Sequence, residues 1–314
     1  MKTGLNKEIL QIALPSIVTN ITVPLLGIVD VAITGHIGNS TVAIGAIAVG
    51  GLVFNMVYWL FNFLRMGSSG LTAQAYGAGD MTESKKLLLR ATTVAIVLAM
   101  VIILLRKPLT SASVFIMGGS DNLMHLTSEY VMMRFLALPA SLPLFAFNGW
   151  FVGMQDAKTP LFISIFTNIV NIGASYWLTL GQGLGISGIA LGTVIAQYTS
   201  LILALVVYQV KYSKICSRIA LRDSLDSNSL KKFLCINRDV FLRSFSVTLA
   251  YTIFTRVSAN ISDEILAIDT LLMQLFTLYS YLFDGVGYAA EALSGKYIGM
   301  RDHNGFRTSV KALM

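Results

Sequence analysis

Residues 8–33 read EILQIALPSIVTNITVPLLGIVDVAI. Apart from Glu8 at the edge, the ionisable residue of this stretch is Asp30. A run of this length is enough for one membrane-spanning α-helix, which needs about 20 predominantly apolar residues. Lys2 and Lys7 precede the run, and no small-residue cleavage site closes a short apolar region. We therefore predict a first membrane helix that is retained, and not a signal peptide.

The composition extends this conclusion to the whole chain of 314 residues. Hydrophobic residues make up 55% and charged residues 12%, with a mean hydropathy of +0.70, whereas a soluble domain carries roughly 25% charged residues. These values exclude a disordered chain, a disulfide scaffold and a nucleic-acid binder. They predict an all-α, polytopic membrane helix bundle whose surroundings are a lipid bilayer, with no nucleic-acid partner.

Eight stretches are long and apolar enough to span a membrane. They are residues 8–33, 43–74, 87–105, 126–153, 160–180, 186–210, 239–261 and 266–298. Thr159 followed by Pro160 predicts the start of the fifth span, as an N-cap and a first helical residue. The small-residue cluster 67–70 in the second span and the two prolines of the fourth predict bent or broken helices, which are tolerated only beside protein or a watery cavity.

Lysine and arginine outside the spans are concentrated in alternate loops, and Arg106 and Lys107 are the exceptions on the side opposite to the N-terminus. The positive-inside rule therefore predicts that both chain ends are cytoplasmic. The same pattern predicts three parts. These are an N-lobe of six membrane helices (1–210), a basic cytoplasmic linker (211–238), and the start of a C-lobe with two membrane helices and the beginning of a third (239–314).

A weak internal repeat supports this division. Tyr58 and Tyr76 of the second span align with Tyr279 and Tyr297 of the eighth, and both segments end in Tyr, Gly and Asp before a basic restart. Repeated helical blocks are a common construction of secondary transporters. The second block then has only two of its six helices, so we expect the chain to be about two thirds of a larger protein.

Asp30 is the first candidate functional residue, because an ionisable residue inside a span is energetically costly and is usually functional. It lies in the outer part of the first helix, with no base within one turn on that helix. Such a carboxylate can take up a proton or be stabilised by a bound cation, as a cation-coupled transporter requires. The alternative is an aspartate that is solvated at the outer interface.

Neutral polar residues in the next two candidate helices form a second group. Asn168, Asn171 and Ser175 are spaced three and four apart in the fifth span, so they share one helical face, and Thr193 of the sixth span can face them. Their oxygens and amides suit a bound cation or a protonated acid. The alternative is that they are hydrogen-bonding contacts between packed helices.

The eighth span carries a longer polar stripe, which consists of Gln274, Thr277, Tyr281, Asp284, Tyr288 and Glu291. Carboxylates that alternate with aromatic rings suit an organic cation, which gains Coulombic and cation–π contacts. We therefore predict substrate contacts at Tyr281, Asp284, Tyr288 and Glu291, with Arg256 of the seventh span nearby. The alternative is structural, with Arg256 neutralising one acid. Arg65 and Arg134 are the other two bases inside spans, and the sequence assigns them no role.

The remaining motifs give no support to an enzyme. The three histidines show no metal-ligand spacing, no nucleophile is arranged with a base, and no Walker motif is present. We expect no metal site, no catalytic residue and no cofactor other than a coupling ion, H⁺ or Na⁺.

Three segments resemble the multidrug and toxic compound extrusion (MATE) family, specifically its DinF-like branch. They are residues 14–17 with 24–30, the linker Gly-Met-Gln-Asp-Ala-Lys-Thr-Pro at 153–160, and residues 283–285 with 291–293. The resemblance runs along essentially the whole chain. It implies about twelve helices in two six-helix lobes, and outward transport of drugs or metabolites in exchange for protons or sodium ions.

The resemblance also implies where the coupling ion binds. In related transporters the N-lobe cation site combines an aspartate on the first helix, an asparagine and an aspartate four apart on the fifth, and a threonine on the sixth. These positions resemble Asp30, Asn171, Ser175 and Thr193. Ser175 departs from the pattern because the second acid is missing, so sodium coordination loses a charge and proton coupling through Asp30 is favoured.

The sequence therefore predicts a cation-coupled antiporter of the inner membrane, with protons favoured over sodium ions, that exports drugs or organic metabolites by alternating access. We expect a small cationic or amphipathic substrate and a monomer. One alternative is a flippase for lipid-linked saccharides, which would need stronger basic residues in the N-lobe. The others are a membrane-embedded enzyme or scaffold, and a truncated membrane protein that does not transport.

Overall fold

A computed structural model describes residues 2–36, 40–117, 120–213, 226–261 and 263–313. Every regular element in these ranges is helical, which confirms the predicted all-α class. The helices are α1 (Lys2–Thr34), α2 (Ser40–Phe61), α3 (Phe63–Gly77), α4 (Met81–Leu104), α5 (Arg106–Met117), α6 (Asp121–Arg134), α7 (Leu138–Gly153), α8 (Lys158–Tyr176), α9 (Gly185–Tyr212), α10 (Ser227–Ile261), α11 (Asp263–Gly299) and α12 (His303–Leu313).

Six segments of the described residues are long and apolar enough to cross a membrane, and they confirm the first six predicted spans. They are Leu5–Thr34, Thr41–Gly77, Met81–Leu104, Asp121–Gly153, Lys158–Gly181 and Gly185–Tyr212. The seventh and eighth predicted spans lie within α10 and α11 and remain predictions. Residues 214–225 of the predicted linker lie outside the described residues, and α10 begins inside that linker at Ser227. The proposed division into lobes therefore stays a prediction.

The small-residue cluster 67–70 does not break the second span, contrary to the prediction. The helix continues through it, and the interruption falls earlier, at Asn62 between α2 and α3. Small residues are used here for close packing of helices. A side chain at Gly149 would meet the backbone of Arg65, and one at Gly153 would meet the backbone of Ser69. α7 therefore contacts α3 nearly backbone to backbone, as small residues allow inside membranes.

The fourth span is interrupted by the short 3-10 turn Phe135–Ala137 between α6 and α7. α7 then forms the centre of the first six helices, because almost all of its side chains are buried. Trp150 and Phe151 are fully enclosed, and the Trp150 indole N–H donates to the carbonyl of Ser84 at 2.9 Å. The buried indole thus has a partner, and α4 is fixed to α7.

α11 packs against both α1 and α3, through positions that lack side chains. Gly285 approaches the backbone of α1 at Ile17, and Gly295 approaches the backbone of α3 at Gly70. Beyond them, Lys296 pairs with Glu8 of α1 at 3.0 Å. The named contacts of α11 with α1 all involve the N-terminal part of α1, while apolar side chains of the first half of α11 are exposed. These exposed side chains are Leu272, Leu275, Phe276 and Tyr279.

We expect Gly149→Ala to lower the thermal stability of the purified chain in detergent, because the new Cβ collides with the backbone of α3. Overpacking of this kind typically costs about 1–3 kcal/mol. Gly173→Ala is the matched control, since no atom lies within 4 Å of its Cβ position. Its melting temperature should be unchanged or slightly higher, because alanine is the better helix former. Equal melting temperatures for the two variants would contradict the close α3–α7 contact.

Candidate functional site

Asp30 lies in the C-terminal part of α1 and is 7% exposed, so its carboxyl group is enclosed by protein and is not solvated at a surface. Its Oδ1 atom has no hydrogen-bond partner among the described residues. One turn later, the hydroxyl of Thr34 donates to the backbone carbonyl of Asp30 at 2.6 Å. The neighbouring polar group on α1 is therefore used by the backbone and leaves the carboxylate to groups on other helices.

Arg134 of α6 provides the positive charge that faces Asp30. Its Nη1 donates to the hydroxyl of Tyr130 at 2.8 Å, and its guanidinium lies 4.6 Å from the ring centroid of Phe54. Tyr58 of α2 interacts electrostatically with both Tyr130 and Arg134. We call Asp30, Tyr58, Tyr130 and Arg134 the Asp30 cluster. It connects three helices around one acid and one base.

Asp30 Oδ1 is not the single unpaired atom of the Asp30 cluster, because two further polar atoms in it also lack a hydrogen-bond partner among the described residues. They are the hydroxyl of Tyr58 and the Nε atom of Arg134, both buried and both without a hydrogen bond within the described ranges. Unpaired buried polar groups are costly, so a site that collects several of them is suited to a polar ligand, a proton or a water molecule.

Asn171, Ser175 and Thr193 come together between α8 and α9. The Asn171 amide donates to the hydroxyl of Thr193 at 3.0 Å, and the hydroxyls of Thr193 and Ser175 both donate to the carbonyl of Ile189, at 3.2 and 3.5 Å. Asn168 lies one turn earlier on α8 and is half-buried. The three buried residues therefore act as a contact between helices, while Asn171 Oδ1 keeps no partner in the described part of the chain.

The Asp30 cluster and this α8–α9 contact lie at similar depth. Thr22 of α1 and Ser164 of α8 share a hydrogen bond of 2.9 Å. Asp30 follows Thr22 by eight residues and Asn171 follows Ser164 by seven, in spans that the topology predicts to be parallel. At 1.5 Å per residue these steps differ by only about 1.5 Å. This spacing places Asp30 and Asn171 at a similar level along the two helices.

Tyr288 and Glu291 of the predicted substrate stripe lie against α3. The guanidinium carbon of Arg65 is 3.7 Å from the ring centroid of Tyr288, and Asn62 is hydrogen bonded to the hydroxyl of the same tyrosine. Glu291 is hydrogen bonded to the backbone N–H of Gly70, and its Oε2 has no partner among residues that the structure describes. We call Arg65, Tyr288 and Glu291 the Arg65 cluster.

The other stripe residues are placed differently. Tyr281 is half-buried, and its backbone carbonyl accepts a hydrogen bond from the Asn20 side chain of α1 at 3.3 Å. Asp284 is exposed and interacts electrostatically with Arg65 and Arg243. The side chains of Arg256 and Gln274 lie outside the described residues, so the prediction for Arg256 cannot be placed. Arg65 and Arg243 are the bases that interact electrostatically with Asp284 and Glu291, and Arg65 is the larger influence on both.

The sequence did not identify Arg134 and Arg65 as the bases that face Asp30 and Glu291. Arg134 and Arg65 are recognisable there as charges inside spans, but each faces an acid from another helix, and sequence spacing reports only neighbours on the same helix. The sequence did contain one usable signal. An arginine and a carboxylate inside membrane spans each need an opposite charge, so each can be expected to face the other.

The linker segment 153–160 is organised around Asp156. Its carboxylate accepts hydrogen bonds from the N–H and hydroxyl of Thr159, at 3.2 and 2.6 Å, and from Lys211 and Tyr212 at the end of α9, at 2.5 and 2.7 Å. α8 begins at Lys158, so Thr159 is not the N-cap that the sequence predicts. The Asp156 carboxylate instead accepts a hydrogen bond from the Thr159 N–H in the first turn of α8.

Asp156 lies between two membrane spans, and its pKa is lowered. Partial burial alone raises the pKa, but the hydrogen bonds from Lys211, Thr159 and Tyr212 to the ionised carboxylate outweigh that effect. Next to it, the side chain of Gln155 donates to the carbonyl of Ala292 in α11 at 3.1 Å. The segment 153–160 therefore joins α8, α9 and α11 at one end of the bundle.

A bundle of membrane helices with acids and bases paired between helices has the features of a transporter. The MatE family model matches residues 15–177, and the chain belongs to this family, whose members are transporters and not enzymes. The chain is 37% identical over 301 residues to DNA damage-inducible protein F of Escherichia coli strain K12. This match covers 96% of the chain and 65% of the relative, so the chain spans just under two thirds of that protein's length.

Two further comparisons show more distant similarity. The chain is 22% identical over 309 residues to the probable multidrug resistance protein NorM of Photorhabdus laumondii, covering 97% of the chain and 67% of that relative. A solved MOP superfamily transporter from Pyrococcus furiosus Vc1 superposes with a TM-score of 0.87 at 19% identity, over 98% of this chain and 68% of that one. The structural match establishes the fold.

Asp156→Asn should lower the melting temperature at neutral pH by a few degrees, because the amide loses the charge-assisted bonds to Lys211 and Thr159. The folded-state pKa is depressed, so the stabilisation is present above about pH 4, the ordinary aspartate value, and is lost as pH falls through the folded pKa. The gap between wild type and variant should therefore close on acidification. Asp239→Asn is the control, since Asp239 is exposed and pairs only with Arg238 among the described residues. A gap that does not depend on pH would contradict this role.

Proposed function

We propose that the protein is a proton-coupled antiporter of the inner membrane, which exports organic cations or amphipathic metabolites by alternating access. The observation that carries the proposal is Asp30. It is a buried carboxylate on a membrane helix, with one oxygen unpaired within the described residues and Arg134 as the base that faces it. The concentration of lysine and arginine in alternate loops supports a cytoplasmic N-terminus.

The proposed exchange follows from the charge of the Asp30 cluster. With Asp30 ionised, its charge and that of Arg134 cancel, so a cationic substrate that binds away from Arg134 can be accepted at low electrostatic cost. A proton on Asp30 leaves Arg134 unbalanced, and the cluster then repels a cation. Proton and cationic substrate thus exclude each other, as antiport requires. This is the differential affinity that moves a transporter between its two states.

Two features favour a proton over a sodium ion as the coupling ion. Ser175 occupies the position of the second acid, and the hydroxyls of Ser175 and Thr193 both donate to the Ile189 carbonyl. The described part of the α8–α9 contact therefore offers a neutral amide oxygen, Asn171 Oδ1, as its unpaired acceptor. The guanidinium of Arg134 would also face a sodium ion beside Asp30, and two like charges in a medium of low dielectric repel strongly. A proton avoids this repulsion because it neutralises the acid without adding a separate cation.

The substrate class rests on the chemistry of α11. Asp284 is exposed beside Tyr281, and aromatic rings with carboxylates suit organic cations. Relatives such as the probable multidrug resistance protein of Photorhabdus laumondii support a drug-like substrate. We propose that the protein works as a monomer, with no cofactor other than the coupling ion.

Asp30→Asn should abolish pH-gradient-driven efflux of a lipophilic cation in everted vesicles that carry the full-length protein, because the amide cannot exchange a proton. Asp30→Glu keeps the titratable group and should retain part of the activity. Asp239→Asn, an exposed acid outside the clusters, should transport like wild type. Transport at the wild-type rate by Asp30→Asn, at equal amounts of protein in the membrane, would refute the role of Asp30.

A further inference from the structure

The contact between Arg65 and Tyr288 has the geometry of a cation bound by an aromatic ring. The guanidinium carbon lies 3.7 Å from the ring centroid, well inside the limit of about 6 Å for cation–π attraction. Tyr288 is only 8% exposed, so the contact is sheltered from water. Cation–π attraction is strongest when the cation is desolvated. The ring of Tyr288 is therefore a binding surface that already holds a positive group.

Glu291 adds a negative charge to the same place. One turn along α11 from Tyr288, it interacts electrostatically with Arg65, and it takes a hydrogen bond from the backbone of Gly70. Its second oxygen, Oε2, is buried and has no hydrogen-bond partner anywhere in the described ranges. A ring face next to a carboxylate oxygen that is free to accept is the arrangement that a lipophilic or guanidinium-like cation requires.

Arg65 is held there without a close ion pair. In the part of the chain that the structure describes, no carboxylate oxygen lies within 4.0 Å of its guanidinium, whereas the ion pairs that are present include Arg90 with Glu83 at 2.6 Å and Lys296 with Glu8 at 3.0 Å. A competing cation would therefore replace Arg65 at the cost of a cation–π contact and a longer-range attraction, and not of a short salt bridge.

The geometry points to Arg65 as a tethered cation that occupies, within the chain itself, a binding site for an organic cation formed by Tyr288 and Glu291. This inference rests on the proposed export of organic cations and names the place where one binds. Arg65 belongs to α3, and the ring and carboxylate belong to α11. Any movement that separates these two helices removes Arg65 from the site and exposes Tyr288 and Glu291 together. The site therefore becomes available to a cation when the α3–α11 contact opens.

Such a movement has to open the contacts that surround the Arg65 cluster. On the side of the chain ends, α11 is closed against α3 and α1 by the glycine contacts of Gly295 and Gly299 and by the Lys296–Glu8 pair. The partly exposed ion pair contributes little to stability, whereas α11 also buries Tyr288, Ala289, Ala292 and Leu293 in an apolar cluster with Ile12 and Ala13 of α1.

Equilibrium binding of tetraphenylphosphonium to the full chain in detergent, at one neutral pH, tests the inference. Arg65→Gln should bind the probe about tenfold more tightly than wild type, because the competing tethered charge is gone and less positive charge then acts on Glu291, which also interacts with Arg243. Tenfold corresponds to about 1.4 kcal/mol. Arg65→Lys should show a smaller gain, because an ammonium stacks on a ring less well than a guanidinium. Arg106→Gln, an arginine outside the clusters, should bind like wild type.

The tighter binding of tetraphenylphosphonium by Arg65→Gln must depend on Tyr288 and Glu291. Adding Tyr288→Leu or Glu291→Gln to Arg65→Gln should abolish it, whereas adding Tyr288→Phe, which keeps the ring, should preserve it. Unchanged or weaker binding by folded Arg65→Gln, or a gain that survives Tyr288→Leu, would overturn the inference. If Arg65→Gln does not fold, the smaller gain of Arg65→Lys and its loss on Tyr288→Leu decide the question in the same way.

This test is independent of proton coupling. A gain in binding that requires Tyr288, together with wild-type efflux by Asp30→Asn, would support the cation site and contradict the proposed role of Asp30. Efflux that depends on Asp30 without any gain in Arg65→Gln would overturn the tethered-cation site alone.

Discussion

The structure depends on one electrostatic constraint: an ionised side chain between membrane helices needs an opposite charge or a change of protonation state. Asp30 faces Arg134, and Glu291 faces Arg65. In both cases the acid and the base come from different helices, α1 with α6 and α11 with α3. The positions of these helices are therefore linked to the charge between them, which gives a bundle of otherwise apolar helices two places where a proton or a cation can act.

α1 is the element that connects these two places. Its C-terminal part carries Asp30, and its N-terminal part contacts α11 through Ile17, Asn20 and Glu8. It also shares the hydrogen bond between Thr22 and Ser164 with α8. A change in charge at Asp30 thus acts on a helix that also bounds the α11 interface. Glycines at that interface let the backbones approach closely, so a small displacement of α1 changes many contacts at once.

The sequence predicted the helical class and the first six spans, because a run of about 20 apolar residues has few alternatives to a membrane helix. It also grouped Asn171 and Thr193, which the structure joins by a hydrogen bond. The partners of Asp30 and Glu291 were beyond its reach, since the spacing of residues on one helix carries no information about which arginine faces that helix from another. The cluster 67–70 was misjudged for a related reason, because glycine favours either a break or a close contact, and only the position of α7 and α11 decides between them.

Proton release on substrate binding tests the central claim most directly. When a lipophilic cation is added to the purified full-length protein in weakly buffered detergent, a pH indicator reports protons displaced from the protein. If Asp30 exchanges a proton for the cation, wild type should release protons in proportion to the cation bound. Asp30→Asn, whose amide resembles the protonated acid, should bind the cation more weakly and release no protons for the cation that it does bind. Equal proton release by wild type and Asp30→Asn would contradict the account.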